Sequence, residues 1–304
     1  MGLNHRELAV FLSILRHGSI NSAAQALGMT QPALSRSLKR LEARLGVQLF
    51  VRHSQGMEPT RFGEVLRAYA EQQEFETERV VEEIRLLAGA ATGLVRIGVV
   101  PSAAASLLPR ALGRALAVSP GIQVRVVEGL GEQMIAAVTR GEVDFAVVGQ
   151  PADFADSSVL VTPLGEEEVC AAARSGHPVF ARADLTVADL ALFPWILPER
   201  GNVNRHGFRA MFQRAGLEPP KETMSSNSAQ ALKAVVLSGD YLTMLTRSLF
   251  ALEEQQGSIR PLPLPESKWR RRLAIVRRPS GQMLPATRLL LRELIADAEE
   301  TAAA

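Results

Sequence analysis

Hydrophobic positions in the first third of the chain recur at helical spacing. Leu8, Phe11, Leu12 and Leu15 fall at i, i+3, i+4 and i+7, which predicts one helix with a single apolar stripe, ended by Gly18. A short second helix is expected to start at Asn21 or Ser22, both suited to an N-cap, to bury Ala23, Ala24 and Leu27, and to stop at Gly28. The third helix has the clearest edges: Thr30 as N-cap, Pro32 in the first turn, Gly46 past the last apolar position, and Leu34, Leu38, Leu41 and Leu45 as its core stripe. Val47, Leu49 and Val51 then alternate as a strand. Arg52, His53, Ser54, Gln55 and Gly56 form a polar hairpin tip, and Thr60 caps a long helix reaching about Ala88.

That long helix carries a thin stripe: Phe62, Leu66, Tyr69, Gln73, Glu76, Val80, Glu83 or Ile84, and Leu87. So long a helix with so few apolar positions is expected to pack against a copy of itself; the alternative is a helix lying on its own domain. The small residues Gly89, Ala90, Ala91, Thr92 and Gly93 read as a hinge. Beyond them the texture changes. Short β-rich runs at 94–100, 123–128 and 143–148 alternate with helical stretches, the pattern of parallel βαβ units. A second set follows at 169–173, 194–197 and 240–246, with helices at 204–215 and 228–237, an extended connector at 260–265, a late strand at 271–276 and a final helix at 285–298. The fold class is multidomain, α followed by α/β.

Charge changes this picture in one place. The chain has 304 residues and a net charge of only +2, but residues 1–60 hold seven basic residues against three acidic ones. Net charge is therefore +4 there and −2 over the remainder, which points to a polyanion partner for the N-terminal segment alone. The single cysteine, Cys170, excludes an internal disulfide, and its apolar surroundings predict a buried structural thiol. The opening MGLNHRELAVFL lacks the pattern of a signal peptide, and no run of apolar residues is long enough to span a membrane, so a cytoplasmic location is expected.

On a helical wheel the leucines of the third helix point one way, and Pro32, Ala33, Arg36, Lys39 and Arg40 the other, with Ser35 on the flank and Gln31 at the exposed N-terminus. The major groove of DNA admits one such helix. Gln31 suits adenine, Arg36 guanine, and Pro32 and Ala33 a thymine methyl, while Lys39, Arg40 and the wing residue Arg52 suit phosphates. The start of the second helix, at Asn21 and Ser22, offers backbone N–H groups to another phosphate. A basic amphipathic helix alone is more often just a solvated face; its place after two helices and before a hairpin makes the difference. His5, His17, His53, His177 and His206 are scattered without metal-ligand spacing, and no nucleophile elbow, phosphate loop or dinucleotide fingerprint appears. No metal, cofactor or catalytic residue is expected, and acidic positions such as Glu166 and Glu168 read as a solvated strand edge.

The segment GSINSAAQALGMTQPALSRSLKRLEARLGVQLFVR resembles, nearly position for position, the N-terminal domain of the LysR-type transcriptional regulators, and RGEVDFAVVG is similar to a phrase of their C-terminal module. The resemblance implies a winged helix-turn-helix at 1–60, a linker helix at 61–89 and, at 90–304, a two-lobed α/β module similar to the type 2 periplasmic binding proteins. Lobe I would comprise about 91–162 and 269–304, lobe II about 166–265, with crossings near 162–166 and 265–269. It implies a small-molecule effector in the cleft between lobes, at Ser102, Gly149, Asn202, Val203, Asn204, Ser226 and Asn227. These are short residues at strand ends beside helix starts, where open α/β sheets bind ligands, though each could equally serve as a helix cap. Arg200, Arg205 and Arg209 nearby suggest a small organic anion, such as a carboxylate, although solvated charge explains them equally well. Implied partners are duplex DNA, the effector, a second subunit through the linker helix, a homotetramer beyond it, and RNA polymerase. Two positions depart from the family pattern: Pro59-Thr60 stands where Leu-Thr is usual, and Gly63 falls early in the linker helix. A solute-binding protein and an enzyme are the rival readings. The basic N-terminal segment counts against the first, and the absence of a general base beside the cleft Ser and Asn residues against the second.

Overall fold

The computed structural model describes residues 3–53, 56–87, 93–149, 158–279 and 283–303. The chain divides into two compact units, one N-terminal and one C-terminal. Of the expected hinge only Gly93 is described; residues 89–92, like Ser54 and Gln55 of the hairpin tip, lie outside the described residues.

The N-terminal unit contains α1 (His5–His17), α2 (Ile20–Ala26), α3 (Gln31–Leu45), the hairpin β1 (Phe50–His53) and β2 (Gly56–Pro59), and α4 (Arg61–Leu87). Asn4 and Glu7 start α1 with a capping box, each side chain accepting from the other's backbone N–H. The start of α2 differs from expectation. Its N-cap is Ser19, whose Oγ accepts from the Ser22 N–H at 3.1 Å, so Asn21 and Ser22 lie inside the first turn. Gly28, at φ +61°, then takes the left-handed conformation that lets the Met29 N–H return to the Ala24 carbonyl at 2.8 Å and swings the chain into α3. Two expected core leucines are solvent-facing, Leu27 at 38% and Leu45 at 39% exposed, because each closes its helix where the chain turns away from the core. The strand starts at Phe50 rather than Val47. Leu49 and Phe50 are buried, with Phe50 stacked at 5.1 Å on Phe11, but Val51 is exposed because this two-stranded hairpin has little to cover it.

The stripe on α4 divides. Leu66 and Ala70 join the core of their own unit, while Phe62, Val65, Tyr69, Val80, Val81 and Ile84 remain exposed. The side chains of Glu83 and Leu87 lie outside the described ones. One departure from the family pattern, Gly63, has a steric reason. A Cβ on Gly63 would stand 2.3 Å from the Leu49 carbonyl oxygen and 3.1 Å from Pro59 Cβ, so the helix can lie this close to the wing only with glycine there.

The C-terminal unit is built on one mixed sheet, nine-stranded among the described residues. In its first lobe are β3 (Leu94–Val99), α5 (Pro101–Ala105), α6 (Leu107–Val118), β4 (Gln123–Glu128), α7 (Gly131–Arg140) and β5 (Phe145–Gly149). The long β6 (Leu160–Arg174) leads to α8 (Val187–Leu190), β7 (Trp195–Leu197), α9 (Val203–Arg214), β8 (Glu222–Ser225), α10 (Ala229–Ser238), β9 (Leu242–Thr246), α11 (Ala251–Gln255) and β10 (Ile259–Pro261). Finally β11 (Lys268–Arg277) returns to the first lobe, where α12 (Pro285–Ala303) packs on α6. The spatial order is β4-β3-β5-β11-β6-β9-β7-β8, with β10 on β6.

The expected parallel pairing holds for β3, β4 and β5 and for β7, β8 and β9. It fails at the centre, where β6 and β11 pair antiparallel with each other and with β9 and β5, because these two strands carry the chain between lobes in opposite directions. Glu166 and Glu168 therefore sit on a central strand, not on a sheet edge. The first expected crossing, 162–166, falls on β6, whose register against β11 shifts between Leu273 and Ala274, opposite Gly165 and Pro163. The second, 265–269, ends in β11. Lys268 and Trp269 still pair with Cys170 and Val169, and Trp269 packs against the second lobe's core.

Alternation along β6 supplies both faces of that lobe. Val169, Ala171 and Ala173 meet Trp195, Phe208 and Phe212, while Cys170 and Ala172 meet Ile196, Leu232 and Phe250. Burial pushes the Cys170 thiol up to about 12, as a structural cysteine requires. In the first lobe the carboxylate of Asp297, 1% exposed, accepts from Arg110 and Arg114 at 3.0 Å each. No described helix is long and apolar enough to cross a membrane.

Gly63→Ala tests the closeness of wing and helix. A methyl group forced against a backbone carbonyl should cost about 1–3 kcal/mol or more. Thermal denaturation of the variant should show a lowered first transition; an unchanged melting curve would mean that α4 does not lie this near β1.

Candidate functional site

Gln31, Pro32, Arg36, Lys39 and Arg40 are exposed on α3, with Ala33 and Ser35 half-buried beside them and Leu34, Leu38 and Leu41 buried on the other side. Thr30 occupies the N-cap in extended geometry, but its side chain makes no capping hydrogen bond. Arg52 projects from β1, in register with Met57 of β2, and the Met57 N–H donates to the Gly18 carbonyl at 2.8 Å, which fastens the wing to the end of α1. Arg44 is held by Glu7 at 2.6 Å. In contrast, Arg36, Lys39, Arg40 and Arg52 have no carboxylate partner among the described residues. The face combining a helix start with four uncompensated cations is suited to a polyanion.

In the C-terminal unit a cavity of about 490 Å³ opens between the lobes. Ser102, Gly149, Asn202, Val203, Asn204, Ser226 and Asn227 all line it. The topology brings them together: Ser102 follows β3, Gly149 ends β5, Asn202 caps α9, and Ser226 and Asn227 join β8 to α10. The N-terminal turns of α9 and α10 thus face the cavity from the second lobe. Some of these polar groups also serve the fold. Asn202 accepts from the Asn204 N–H at 3.0 Å, and Ser226 Oγ from the Ser228 N–H at 3.1 Å.

The arginines that suggested an anion lie elsewhere. Arg205 is buried, donating to the Pro198 carbonyl at 3.1 Å and to Glu222 at 2.8 Å, and its hydrogen bond holds the Glu222 carboxyl below the usual range. Neither Arg200 nor Arg209 lines the cavity. The arginine that does is Arg271, on β11. Its Nε donates to Glu167 Oε1 at 2.5 Å, its Nη1 to Asn204 Oδ1 at 3.1 Å and its Nη2 to Ser102 Oγ at 2.9 Å. Ser102 Oγ in turn donates to Glu167 Oε1 at 3.0 Å. One guanidinium thereby joins a first-lobe residue, both crossing strands and a second-lobe helix.

The family model for the LysR substrate binding domain matches residues 88–299, and that for the bacterial regulatory helix-turn-helix protein, lysR family, matches residues 5–64. The chain belongs to the LysR family of transcriptional regulators. It is 31% identical to the HTH-type transcriptional regulator GbpR of Azospirillum brasilense over 86% of this chain and 77% of that one. It is 29% identical to the regulator GalR of Pseudomonas putida over 94% and 72%. Full-length CbnR in complex with its target DNA has the same fold, at a TM-score of 0.73 and 19% identity over 97% of this chain and 100% of that one. So does LysG of Corynebacterium glutamicum, solved with bound arginine as effector, at a TM-score of 0.64 and 19% identity over 98% and 99%.

As a LysR-family member the chain is a DNA-binding transcriptional regulator with an effector-binding domain, not an enzyme. One detail of the sequence reading nonetheless needs correcting. A cavity serine does have a carboxylate partner, since Ser102 is bonded to Glu167. That carboxylate also holds Arg271. Sequence reading missed Arg271 and Glu167 altogether. The available signal was a pair of opposite triplets, Glu166-Glu167-Glu168 and Arg270-Arg271-Arg272, which the register sets directly across from each other on β6 and β11.

Proposed function

We propose that residues 1–60 of this LysR-family regulator read duplex DNA, residues 61–89 pair two subunits, and residues 90–304 bind the effector. The observation that carries the DNA reading is the exposed basic face of α3 beside the wing. Gln31, Pro32, Ala33, Ser35 and Arg36 enter the major groove, with Arg36 on a guanine. Thr30, Lys39, Arg40, Arg52 and the first turn of α2, at Asn21 and Ser22, hold phosphates. Pairing through α4 is supported by its exposed Phe62, Val65, Tyr69, Val80, Val81 and Ile84. The apolar groove of about 470 Å³ that Leu3, Leu45, Phe62 and Val65 share supports it too. On this reading two dimers form a homotetramer in the cytoplasm, with RNA polymerase as downstream partner.

The effector is a small organic anion in the interlobe cavity. Support comes from the N-terminal turns of α9 and α10, whose aligned N–H groups favour negative charge, and not from the arginines of the 200–209 segment. Binding shifts the angle between lobes and, through contacts between subunits, the spacing of the DNA-reading heads, which requires different effector affinities in the two states.

Gel-shift titration against the DNA upstream of the protein's own gene should show saturable, sequence-selective binding. Arg36→Ala should relax selectivity at one base position and cost about 1–3 kcal/mol. An equal loss on every sequence would instead make Arg36 a phosphate contact, and no selectivity at any salt concentration would sink the reading. Replacing Val65 and Ile84 together by Asp should lower the sedimenting mass and weaken DNA binding at least tenfold, whereas an unchanged mass would remove α4 from the subunit contact. In a thermal-shift screen of organic acids on the full chain, at least one acid should raise the melting temperature of wild type but not of Asn204→Leu. Stabilisation that survives this substitution would place the effector outside the cavity.

A further inference from the structure

Arg271 is the obvious anchor for an anionic effector, and its surroundings argue against that role. Its side chain is 11% exposed and that of Glu167, its cross-strand partner, 9%. An isolated guanidinium in such a place would recruit any small anion, because a buried charge without a counter-charge is expensive. Here the counter-charge is built in. Glu167 Oε1 takes Nε and lies equally close to Nη2, at 2.5 Å, while Ser102 accepts from Nη2 and Asn204 from Nη1. Of five N–H donors on a guanidinium, one on Nη1 is left for a ligand, in a fixed direction and with no net charge behind it.

The neighbouring polar groups have the same character. Ser102, Asn204, Thr246 and Asn227 each donate and accept, and the charged residue contributed by the first-lobe wall is the acid Glu132. A bare carboxylate brought to Arg271 would have to compete with Glu167 for the guanidinium and would add negative charge to a cavity that Glu132 already lines. A hydroxyl does neither: it accepts from a free N–H and donates to a neighbouring oxygen.

We propose that Glu167 is a specificity-determining residue: by cancelling the charge of Arg271, it makes that end of the cavity take hydroxyl groups and reject simple carboxylates. The effector class is then a hydroxylated organic acid, its carboxylate at the α9 and α10 turns and its hydroxyls at Arg271. This rests on the cavity being the effector site, but its test does not need the effector.

The probe is sodium propionate, a carboxylate without hydroxyls, titrated by calorimetry into the full chain at constant ionic strength. Wild type should bind it weakly. Glu167→Gln exposes the Arg271 charge and should bind it at least tenfold more tightly, a gain that the double variant E167Q/R271M loses. Equal affinity in wild type and Glu167→Gln, or a gain that survives the loss of Arg271, would overturn the proposal. Should Glu167→Gln not fold, the neutral pair E167Q/R271Q serves instead. It should match wild type for propionate within threefold, whereas a tenfold loss would show that Arg271 attracts carboxylates despite Glu167. These outcomes read the charge of the cavity, so they stand apart from failure of the organic-acid screen, which tests whether the cavity takes an effector at all.

Discussion

The C-terminal unit depends on the antiparallel pairing of β6 with β11. These strands run beside each other from Leu160 against Arg277 to Cys170 against Lys268, so each belongs to both lobes. From this pair β5, β3 and β4 extend on one side and β9, β7 and β8 on the other, with β10 against the end of β6. A ladder that spans two lobes must stay paired whatever the angle between them. The register shift at Leu273 and Ala274, opposite Gly165, is where the regular ladder is interrupted and a bend meets least resistance. Immediately beside it stand the acidic and basic triplets. Arg271 lines the cavity, and the side chains of Glu167 and Arg271 are largely covered. Glu166, Arg270 and Arg272 are largely solvent-exposed, with separations of 3.8 and 4.0 Å that add little in water. The buried rung is the energetically significant one, since removing either partner would strand a charge in a dry place.

The same rung explains why the cavity lies where it does. Open α/β sheets bind ligands beyond the carboxyl ends of their strands, and here the carboxyl ends of β3 and β5 face helix starts contributed by the second lobe. Ser102 and Asn204, from opposite lobes, meet on Arg271. The cavity floor is thus not a passive surface but the hydrogen-bonded junction through which both lobes are tied to the crossing strands. A ligand that draws on Arg271 would act on that junction directly, which is the physical route that the proposed change of lobe angle needs.

How much of this was legible in the sequence follows the distance over which each contact is made. The N-terminal unit is local: stripes such as Leu34, Leu38 and Leu41, glycines at helix ends and a wing hairpin all lie within a few residues of their partners, and they read correctly. Its errors sit at the ends of elements, Leu27, Leu45 and the cap of α2 on the helices and the start of the wing strand, where periodicity stops carrying information. The seven cavity residues came as a set from the family resemblance, with strand ends followed by helix starts as supporting local pattern, and they line one cavity. Arg271 and Glu167 were not, since 104 residues separate them and neither has a local sign of burial. A triplet of glutamates reads as a solvated face until its partner strand is known.

The arginines of the 200–209 segment show the converse error. Their proximity in sequence to the cavity loop suggested a cationic pocket, yet helical geometry turns Arg205 into the second lobe, where Pro198 and Glu222 occupy it, and leaves Arg200 and Arg209 off the cavity wall. Counting charges near a site therefore overstates its field. What a ligand meets depends on which charges are already answered, and in this cavity the one lining arginine is answered by Glu167. Two sites on one chain, both containing arginine, consequently differ in kind. On the outer face of α3, Arg36, Lys39 and Arg40 have no carboxylate partner among the described residues, a setting that suits a polyanion of any sequence before base contacts discriminate. In the cavity the cation is neutralised in advance, so recognition must come from the direction of hydrogen bonds. The first arrangement favours rapid, salt-sensitive association, and the second favours chemical selectivity.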